Sequence, residues 1–391
     1  MATVPGLDDL LAGEGWPYAS TPPVDAADPG RFHALFGRDS LITALQVLPA
    51  RPEVARATLR ALARLQGRKT DPVWDEEPGK IVHEVRTDLS PGHAAYLGLE
   101  PPGGELRYYG SADSTPWFLY VLAATGDRAL AVELEPAWRA AGAWLEGALD
   151  RGGGLLRWGP RGAPGGLTQQ GWRDTVDALH SPSHGSGILH ADGTVPAPPV
   201  ADADTQAAAL AGMRALAALS GSAEHARAAT ALEERVAERF GPETMALDAE
   251  GREVRGAGSQ LGWLVWAGVR VPGGAERLCE PDVLTDFGLR TLSSRHPGFD
   301  PFAYHRGGVW PFDSWLGWGG LRAAGYGAQA ERARTGVLRA LERLGRHPEL
   351  YAVTAAGPER VPISNQVQAW TVGAGFALRA GWDGRAPGLL S

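Results

Sequence analysis

The feature that most constrains the fold is a repeated alternation between two kinds of predicted helix. One kind is apolar and rich in glycine, alanine and tryptophan, whereas its partner is richer in charged residues. A helix that is apolar all round has to be buried, and an amphipathic helix can cover it. The pattern therefore predicts repeated pairs of one buried and one covering helix. The predicted buried helices span residues 41–48, 115–124, 204–219, 259–268, 312–324 and 365–380, and the predicted covering helices span residues 53–66, 129–148, 222–240 and 327–344.

Paired helices of this kind fit a closed toroid of inner and outer helices better than a four-helix bundle. Residues with functional potential repeatedly precede the predicted inner helices, as at Arg38-Asp39, Asp113 and Trp310. If the inner helices run parallel, the loops before them all open at one end of the toroid. We therefore predict an all-α fold with its pocket at that end, bordered by long loops and small β-hairpins.

Three smaller elements are predicted between the helices. Residues 80–86 alternate as a short strand or extended segment, and residues 188–195 are typical of a hairpin that turns on Asp192-Gly193. Residues 281–288 are predicted to form a short helix.

The chain has 391 residues, more than a usual single domain, although barrel folds can run longer as one unit. We predict one catalytic domain over residues 1–391, in which residues 1–30 form an irregular N-terminal extension. The net charge of −8 offers no basic surface to nucleic acid or to an anionic membrane. No apolar run approaches membrane-spanning length, and the N-terminus lacks signal-peptide features, so a cytoplasmic protein is expected. The single cysteine, Cys279, excludes an intramolecular disulfide.

The sequence contains fourteen tryptophans, an unusual number for its length. Tryptophan in a protein core usually serves packing. Several of these residues, however, lie beside glycine, aspartate or arginine rather than in apolar runs, namely Trp74, Trp117, Trp172 and Trp310. Because a flat indole face suits the C–H face of a sugar ring, this pattern favours a carbohydrate ligand.

The longest segment without a convincing helix lies in the middle of the chain and contains residues 169–180. Long loops inside compact proteins are uncommon and often functional. This one contains Trp172, Arg173, Asp174 and Asp177, whose side chains can stack on, hydrogen-bond to or titrate against a polar ligand. We interpret it as a loop that brings a catalytic acid to the pocket. The alternative is a surface loop with a structural Asp cap.

The histidines show no convincing metal-binding pattern. His180 and His184 have i, i+4 spacing, but Pro182 and Gly185 argue against one continuous helix there. No glycine-rich phosphate loop follows a predicted strand, so nucleotide binding is not expected. We therefore predict neither a metal nor a cofactor.

Several short motifs together resemble the catalytic domain of amylo-α-1,6-glucosidases, the glycogen-debranching-type glycoside hydrolases. Relatives of that domain include glucoamylases, processing α-glucosidases and glycosylglycerate hydrolases, which share an (α/α)6 toroid, also called a six-hairpin barrel. The motifs occur in family order along nearly the whole chain, and their combination is specific although each motif is weak alone. The matching segments are residues 36–40, 79–84, 108–116, 170–174, 309–313, 347–350 and 368–370.

The resemblance implies an inverting glycoside hydrolase that cleaves an α-glucosidic bond and needs no metal. Such enzymes use a carboxylic acid at the leaving oxygen and a carboxylate base that activates water, roughly 6.5–9.5 Å apart. The resemblance implies Asp174 rather than Asp177 as the general acid, and Glu349 as the general base. Arg38 and Asp39 match a pair that binds sugar hydroxyls. Further candidates for substrate contact are Glu84, Tyr109, Asp113, Trp117, Trp172, Trp310 and Asp313.

Structural roles stay open for several of these residues. Asp39 and Asp177 could cap helices, Glu349 could be an exposed glutamate after a proline, and Trp117 could belong to the core. Larger bacterial relatives carry an N-terminal β-domain, whereas this chain begins almost at the predicted toroid. Substrate selection is therefore expected to differ from theirs.

The expected substrate is an oligosaccharide or a small glucoside, such as a short α-1,6 or α-1,4 glucan or glucosylglycerate. Two other functions remain open. A sugar isomerase or epimerase on the same toroid would be indicated by paired catalytic histidines at the ends of inner helices. A non-catalytic carbohydrate-binding protein would be indicated if Asp174 and Glu349 did not meet at one pocket.

Overall fold

The structure, a computed structural model, describes residues 3–25, 28, 31–87, 104–159, 166–175 and 187–390. This part of the chain is mostly helical, with small antiparallel β elements between the helices. Its α-helices are α1 (Gly37–Val47), α2 (Pro52–Arg64), α3 (Ser114–Ala124), α4 (Arg128–Glu133), α5 (Glu135–Arg151), α6 (Ala203–Ser220), α7 (Ala223–Arg239), α8 (Gln260–Trp266), α9 (Gly274–Leu278), α10 (Pro311–Ala323), α11 (Gly327–Leu344) and α12 (Ala369–Ala380). Its strands are β1 (Leu35–Phe36), β2 (Glu84–Arg86), β3 (Leu106–Tyr108), β4 (Ala201–Asp202), β5 (Thr244–Leu247), β6 (Glu253–Arg255), β7 (Leu284–Thr285), β8 (Gly288–Leu289), β9 (Tyr351–Thr354) and β10 (Gly357–Arg360).

Six helices form a closed inner ring, in which each contacts the next in the order α1, α3, α6, α8, α10 and α12, and α12 returns to α1. These helices are buried over most of their length, as expected for helices that are apolar on every side. The predicted toroid is therefore confirmed.

Amphipathic helices cover the ring from outside. α2 packs on α1 and α3, α5 on α3 and α6, α7 on α6, α9 on α8, and α11 on α10 and α12. In α2, for example, Val54, Leu59 and Leu62 are buried, whereas Arg60 is exposed. The spacing of apolar residues in the sequence thus decides which helices lie inside and which lie outside.

Glycine lets two inner helices approach closely. A Cβ atom added to Gly262 of α8 would lie 2.5 Å from the Cα atom of Gly317 in α10. No real Cβ contact is that short, so the two helices meet backbone to backbone at this point. The glycine content of the inner helices therefore serves their packing, although glycine lowers intrinsic helix propensity.

The first turns of several inner helices meet at one end of the ring. Gln368, directly before α12, donates a hydrogen bond to Asp39 in the first turn of α1. Arg38 of α1 lies 3.6 Å from the carboxylate of Asp113, directly before α3. The candidate residues that precede inner helices are thereby collected at this end, as the sequence predicts.

Small strands connect the helices and shape the same end of the ring. β1, β2 and β3 form an antiparallel sheet in which Glu84 lies opposite Phe36 on one side and Tyr108 on the other. α1 begins at Gly37, directly after β1, so this sheet lies beside Arg38.

The N-terminal segment packs against the ring. Val4, Leu7 and Leu10 are buried, and Ser20 pairs with Gln368 in an isolated β-bridge. The described part of the predicted irregular extension therefore contributes to the core.

Three predictions about secondary structure are wrong. Residues 281–288 do not form a helix, because β7 and β8 pair there as a hairpin in which Gly288 has a φ of +119°. Residues 188–195 contain the expected turn, with the His190 N–H donating to the Thr194 carbonyl, but no strand. The helix predicted over residues 129–148 is divided into α4 and α5, with Pro136 in the first turn of α5.

Candidate active site

Arg38 joins three parts of the chain at the open end of the ring. Its guanidinium donates to Asp174 Oδ2 from Nη2 at 2.8 Å and from Nη1 at 3.2 Å. Nη1 also donates to the carbonyl of Gly171 at 3.0 Å, and Nε lies 3.6 Å from Asp113. Arg38 itself is buried, so these contacts compensate a charge that water does not reach.

Arg173 anchors the central loop to other inner helices. Its Nε pairs with Asp204 in the first turn of α6 at 3.0 Å, and its Nη2 donates to the Ser259 hydroxyl directly before α8. Its Nη1 donates to the Thr291 carbonyl at 2.8 Å. The predicted catalytic loop therefore crosses the end of the ring and is bound to both sides of it.

Asp174 lies in a partly open position, with 27% of its side chain exposed. Burial raises the pKa of this carboxyl to about 7, although the Arg38 charge favours the ionised form. His83 lies close, with its Nε2 atom 4.0 Å from Asp174 Oδ2. Burial lowers the pKa of His83 well below its ordinary value, so this histidine is neutral at pH 7. A carboxyl with a pKa near neutrality can donate a proton at physiological pH.

Glu349 is almost completely buried, with 1% of the residue exposed. Its Oε1 accepts a hydrogen bond from the Tyr304 hydroxyl, and its Oε2 accepts one from the Asn365 backbone N–H at 3.3 Å. Burial raises the pKa of Glu349 to about 8, while the Tyr304 hydrogen bond and the nearby Arg31 charge act in the opposite direction. The alternative that Glu349 is an exposed surface residue is therefore wrong.

Two adjacent residues connect Asp174 with Glu349. Tyr304 donates its hydroxyl hydrogen to Glu349, and the Nε2 atom of His305 lies 3.2 Å from the backbone carbonyl of Asp174. The two rings are in contact, with centroids 4.7 Å apart. The charge of Asp39 raises the pKa of both carboxyls, so Asp39 lies within electrostatic range of Asp174 and of Glu349. Asp174 and Glu349 therefore lie near the same three residues, Tyr304, His305 and Asp39, although they are far apart in sequence.

Asp39 extends this site towards α12. Its Oδ1 accepts a hydrogen bond from Gln368 Nε2 at 3.2 Å, and Gln368 in turn accepts one from Asn365. The backbone carbonyl of Asn365 also accepts the backbone N–H of Glu349 at 2.9 Å. Burial raises the pKa of Asp39 to about 7. A chain of hydrogen bonds thus connects the predicted sugar-binding aspartate with the predicted base.

The other predicted carboxylates lie around this centre. Asp113 accepts a hydrogen bond from Ser111 at 2.8 Å, and burial raises its pKa. Glu84 forms a buried ion pair with Arg86. Asp313, in the first turn of α10, accepts the Trp263 indole N–H at 2.6 Å, and burial raises its pKa to about 7. Substrate contact by these carboxylates stays a prediction.

The aromatic residues predicted to contact the substrate all contact other protein groups. Trp172 is buried and stacks parallel to Trp263 at a centroid distance of 6.0 Å, and Trp117 is buried among other aromatic rings. Trp310 stacks on His305 at 5.2 Å. Tyr109 donates its hydroxyl hydrogen to the Leu65 carbonyl at 2.8 Å. These contacts account for the four side chains structurally, and their stacking on a sugar stays a prediction.

Reasoning from sequence misses Tyr304 and His305, which contact the two predicted catalytic residues, and it assigns no role to Gln368, which lies in a matching segment and contacts Asp39. They lie in loops or directly before a helix, and each acts on a partner that is distant in sequence. The one signal in the sequence is the position of Tyr304-His305 shortly before Trp310, at the start of an inner helix.

Neither a metal site nor a membrane-spanning helix is found in residues 3–25, 28, 31–87, 104–159, 166–175 and 187–390. Within those ranges, no group of three or more His, Cys, Asp or Glu side chains is placed to hold a metal ion. None of the helices there has the length and apolar character needed to cross a membrane. Asp177, His180 and His184 lie outside the described residues.

Comparison with solved structures supports the fold. The chain is similar to the GH63 mannosylglycerate hydrolase from Thermus thermophilus in complex with Tris and D-glycerate, with a TM-score of 0.70, 18% identity and coverage of 96% of this chain and 98% of that one. The same enzyme in complex with glucose gives a TM-score of 0.67, 18% identity and coverage of 95% and 97%. A wild-type glycosidase gives a TM-score of 0.53, 16% identity and coverage of 96% and 93%. No curated protein matches the sequence significantly.

A family model matches most of the chain and identifies its family. Residues 38–352 match the model of the mannosylglycerate hydrolase MGH1-like glycoside hydrolase domain. This segment contains Arg38, Asp174 and Glu349. The glycoside hydrolase part of the sequence-based resemblance is confirmed, and the debranching specificity is not. The chain therefore belongs to the MGH1-like family of glycoside hydrolases.

Proposed function

We propose that this protein is an inverting glycoside hydrolase in which Asp174 is the general acid and Glu349 is the general base. The observation that carries the proposal is that Tyr304 donates a hydrogen bond to the Glu349 carboxylate while the adjacent His305 contacts the backbone carbonyl of Asp174. Both carboxyls have pKa values raised towards neutrality by burial, which is typical of acid–base catalysts. A carbohydrate-binding protein without activity would have no need of this arrangement.

In the proposed reaction, Asp174 donates its proton to the glycosidic oxygen while the bond from that oxygen to the anomeric carbon breaks. Glu349 removes a proton from a water molecule, whose oxygen bonds to the anomeric carbon from the opposite face. The products are the free alcohol of the leaving group and a hexose of inverted configuration. Asp174 and Glu349 then return to their starting protonation states by exchange with solvent.

The proposed substrate is a small α-glycoside in which a hexose is attached to glycerate. The family model carries the name of mannosylglycerate hydrolase, and solved relatives contain D-glycerate or glucose. Arg38, Asp39 and Gln368 would bind the hexose hydroxyls, because together they offer several donors and acceptors in a buried setting. A short α-1,6 or α-1,4 glucan is the second choice of substrate.

The direct test is product release from mannosylglycerate, glucosylglycerate, isomaltose, maltose, trehalose and limit dextrin. Asp174→Asn and Glu349→Gln are assayed beside the wild type, and the configuration of the released hexose is followed by proton NMR. Turnover of one of the two glycerate glycosides, an inverted product and loss of activity in both variants are expected. A retained configuration or an active Glu349→Gln variant would contradict the proposal.

A glycosyl fluoride separates the two catalytic roles. Fluoride leaves without a proton, so this substrate needs the base but not the acid. Asp174→Asn should therefore keep turnover of the fluoride while it loses turnover of the glycoside. Glu349→Gln should lose both. The opposite pattern would exchange the two assignments.

One observation favours a second reaction class, sugar isomerisation. His83 and His305 are both buried beside Asp174, and burial lowers the pKa of each well below its ordinary value. Neutral histidines can act as bases on a sugar carbon. Incubation with free glucose, mannose and fructose distinguishes the two classes, since only an isomerase or epimerase would interconvert them.

A further inference from the structure

Asp75 is a buried residue in the loop between α2 and β2, and its backbone is in an uncommon conformation. Its φ is +53°, and it is the one non-glycine residue with positive φ in the part of the chain that the structure describes. Aspartate tolerates this region better than most residues, yet it still has an energetic cost there. Its side chain points inward rather than to solvent, since only 6% of the residue is exposed.

The Asp75 carboxylate accepts two hydrogen bonds from buried side chains. Its Oδ2 atom accepts the Tyr108 hydroxyl at 2.9 Å and the Gln170 amide at 2.9 Å. The backbone carbonyl of Asp75 accepts a hydrogen bond from Lys80 Nζ at 3.1 Å. One carboxylate oxygen therefore joins β3 to the loop that carries the proposed catalytic acid.

Tyr108 closes the same loop from its other side. Its hydroxyl accepts the backbone N–H of Leu167 at 2.8 Å while it donates to Asp75. The chain at Gly166 lies so close that a Cβ atom there would be 2.6 Å from the hydroxyl oxygen. Gly166 also has a φ of +82°, which glycine adopts without strain. The loop is thus held at Leu167 and at Gln170 by one acid–tyrosine pair.

The held part of the loop is short and leads directly to Asp174. Gln169 pairs with Thr175 in an isolated β-bridge, and the Thr168 N–H donates to the Thr175 carbonyl at 2.8 Å. Thr175, the residue after Asp174, is therefore hydrogen-bonded to the segment around Gln170, which Asp75 holds. The carbonyl of Gln170 also accepts the Ala112 N–H at 2.9 Å, which anchors the segment beside the start of α3.

We propose that Asp75 is a positioning residue for catalysis: together with Tyr108 and Gln170 it fixes the loop so that the Asp174 carboxyl reaches the glycosidic oxygen. The proposal rests on the proposed function, because Asp75 acts through the acid assigned there. Asp75 does not itself contact the reacting atoms. Its role is to keep the acid in the position that proton transfer requires, because a displacement of about 1 Å can lower the rate a hundredfold.

The test compares two substrates of the same enzyme, the glycoside that the wild type hydrolyses and the corresponding glycosyl fluoride. Asp75→Gly removes the carboxylate but accommodates the positive φ, so its backbone stays unstrained. We expect a loss in kcat on the glycoside of about tenfold to a hundredfold with much smaller loss on the fluoride. The ratio of the two rates does not depend on how much of the variant is folded.

Two further variants sharpen the result. Asp75→Asn keeps an acceptor oxygen and tolerates the same backbone conformation, so it should restore most of the activity on the glycoside. Tyr108→Phe should reproduce the selective loss. Tyr120→Phe is its control, because the Tyr120 hydroxyl also donates to a carbonyl (Gly384, 2.8 Å) and accepts a backbone N–H (Ala386, 3.2 Å). That control should lower stability without changing the ratio of the two rates.

Equal losses on both substrates in Asp75→Gly, or no loss on either, would overturn the proposal. Asp174→Asn distinguishes this failure from a failure of the proposed function. If Asp174→Asn shows selective loss on the glycoside and Asp75→Gly does not, only the role of Asp75 is wrong. If Asp174→Asn itself shows no selectivity, the acid assignment is wrong and the role of Asp75 falls with it.

Discussion

Tyr304 donates its hydroxyl hydrogen to Glu349, and this bond stabilises the ionised form of the carboxylate. Its effect opposes burial, which by itself disfavours the charged form. A general base has to be ionised before it can accept a proton from water. The hydroxyl of Tyr304 therefore helps to keep the proposed base available near neutral pH.

Tyr304→Phe should raise the pKa of Glu349 further above its value of about 8. Asp174, with a pKa of about 7, has to be protonated and Glu349 has to be ionised, so the basic limb of the kcat/KM profile lies at the higher pKa, that of Glu349, and should move to higher pH. At a pH below that limb, each unit of pKa increase lowers the ionised fraction about tenfold, whereas well above the limb the loss is small. A pH–rate profile from about pH 5 to 10, which extends beyond the raised pKa, measures the shift.

Tyr351→Phe provides the control for this profile. Tyr351 is also buried, but its hydroxyl donates to the Phe287 carbonyl at 2.5 Å and not to a carboxylate. The profile of that variant should keep its shape. A uniform decrease at every pH in Tyr304→Phe would show that Tyr304 serves structure alone.

Individual site residues could be predicted only where they lie in short contiguous motifs. Arg38-Asp39 and Trp172-Arg173-Asp174 are such motifs, and the contacts of Arg38 bring the two together. Tyr304 could not be predicted, because its role depends on the distance to Glu349 after folding. The raised pKa of Glu349 likewise follows from burial, which no local pattern around residue 349 reveals.

At the level of elements, the start of α6 is bound closely to the loop that carries the proposed acid. Asp202 caps this helix by accepting the Thr205 N–H at 2.7 Å, and it also accepts the Trp158 indole N–H. A Cβ atom on Gly171 would lie 2.8 Å from the Asp202 carboxylate, so the loop passes directly over the cap. By contrast, Ser222 caps the outer helix α7 at the surface, accepting the Glu224 N–H at 3.2 Å.

These two caps predict different consequences for stability and activity. Asp202→Ala should cost roughly 2 kcal/mol, at the upper end for a cap, because it also leaves buried donors unpaired. It should lower kcat as well, since the loop above it loses its support. Ser222→Ala should cost about 1 kcal/mol and leave kcat unchanged. Chemical denaturation and steady-state kinetics on both variants check this, and an inactive Ser222→Ala variant would contradict it.

The helices themselves were predictable because burial imposes a period on the sequence. The apolar stretch of α3 and the one-sided pattern of α2 both indicate helix, and the structure confirms them. The prediction for residues 281–288 is wrong because the short apolar pair Val283-Leu284 fits a short helix as well as the β7–β8 hairpin. The pairing of β7 with β8 determines the structure of this segment, and the spacing of apolar residues does not reveal that pairing.

For the whole molecule, the close approach of α8 and α10 is a point where an added methyl group would disturb the ring. Gly262→Ala would place a methyl group against the backbone of Gly317. Separation of the two helices should cost about 1–3 kcal/mol, as overpacked cores do. The midpoint of urea unfolding, with an unchanged m-value, measures the loss.

Gly327→Ala is the matched control for that substitution. Gly327 is the first residue of α11, and a Cβ atom there meets no other atom within 4 Å. The free energy of unfolding of the Gly327→Ala variant should stay within about 0.5 kcal/mol of the wild-type value. An equal loss in both variants would mean that the α8–α10 contact does not set the cost, because alanine has the higher helix propensity and cannot destabilise the helices for that reason.

The contact of α1 with α12 has a consequence for the order in which the protein forms during synthesis. Residues 48–368 separate these neighbouring helices, so a ribosome has to deliver nearly the whole ring before its first helix meets its last. Until then α1 lacks a neighbour on one side, and Asp39 lacks the hydrogen bond from Gln368. A nascent chain can therefore complete the proposed sugar-binding residues around Asp39 only when α12 has emerged, and a chaperone that shields apolar helix faces would be needed most before then.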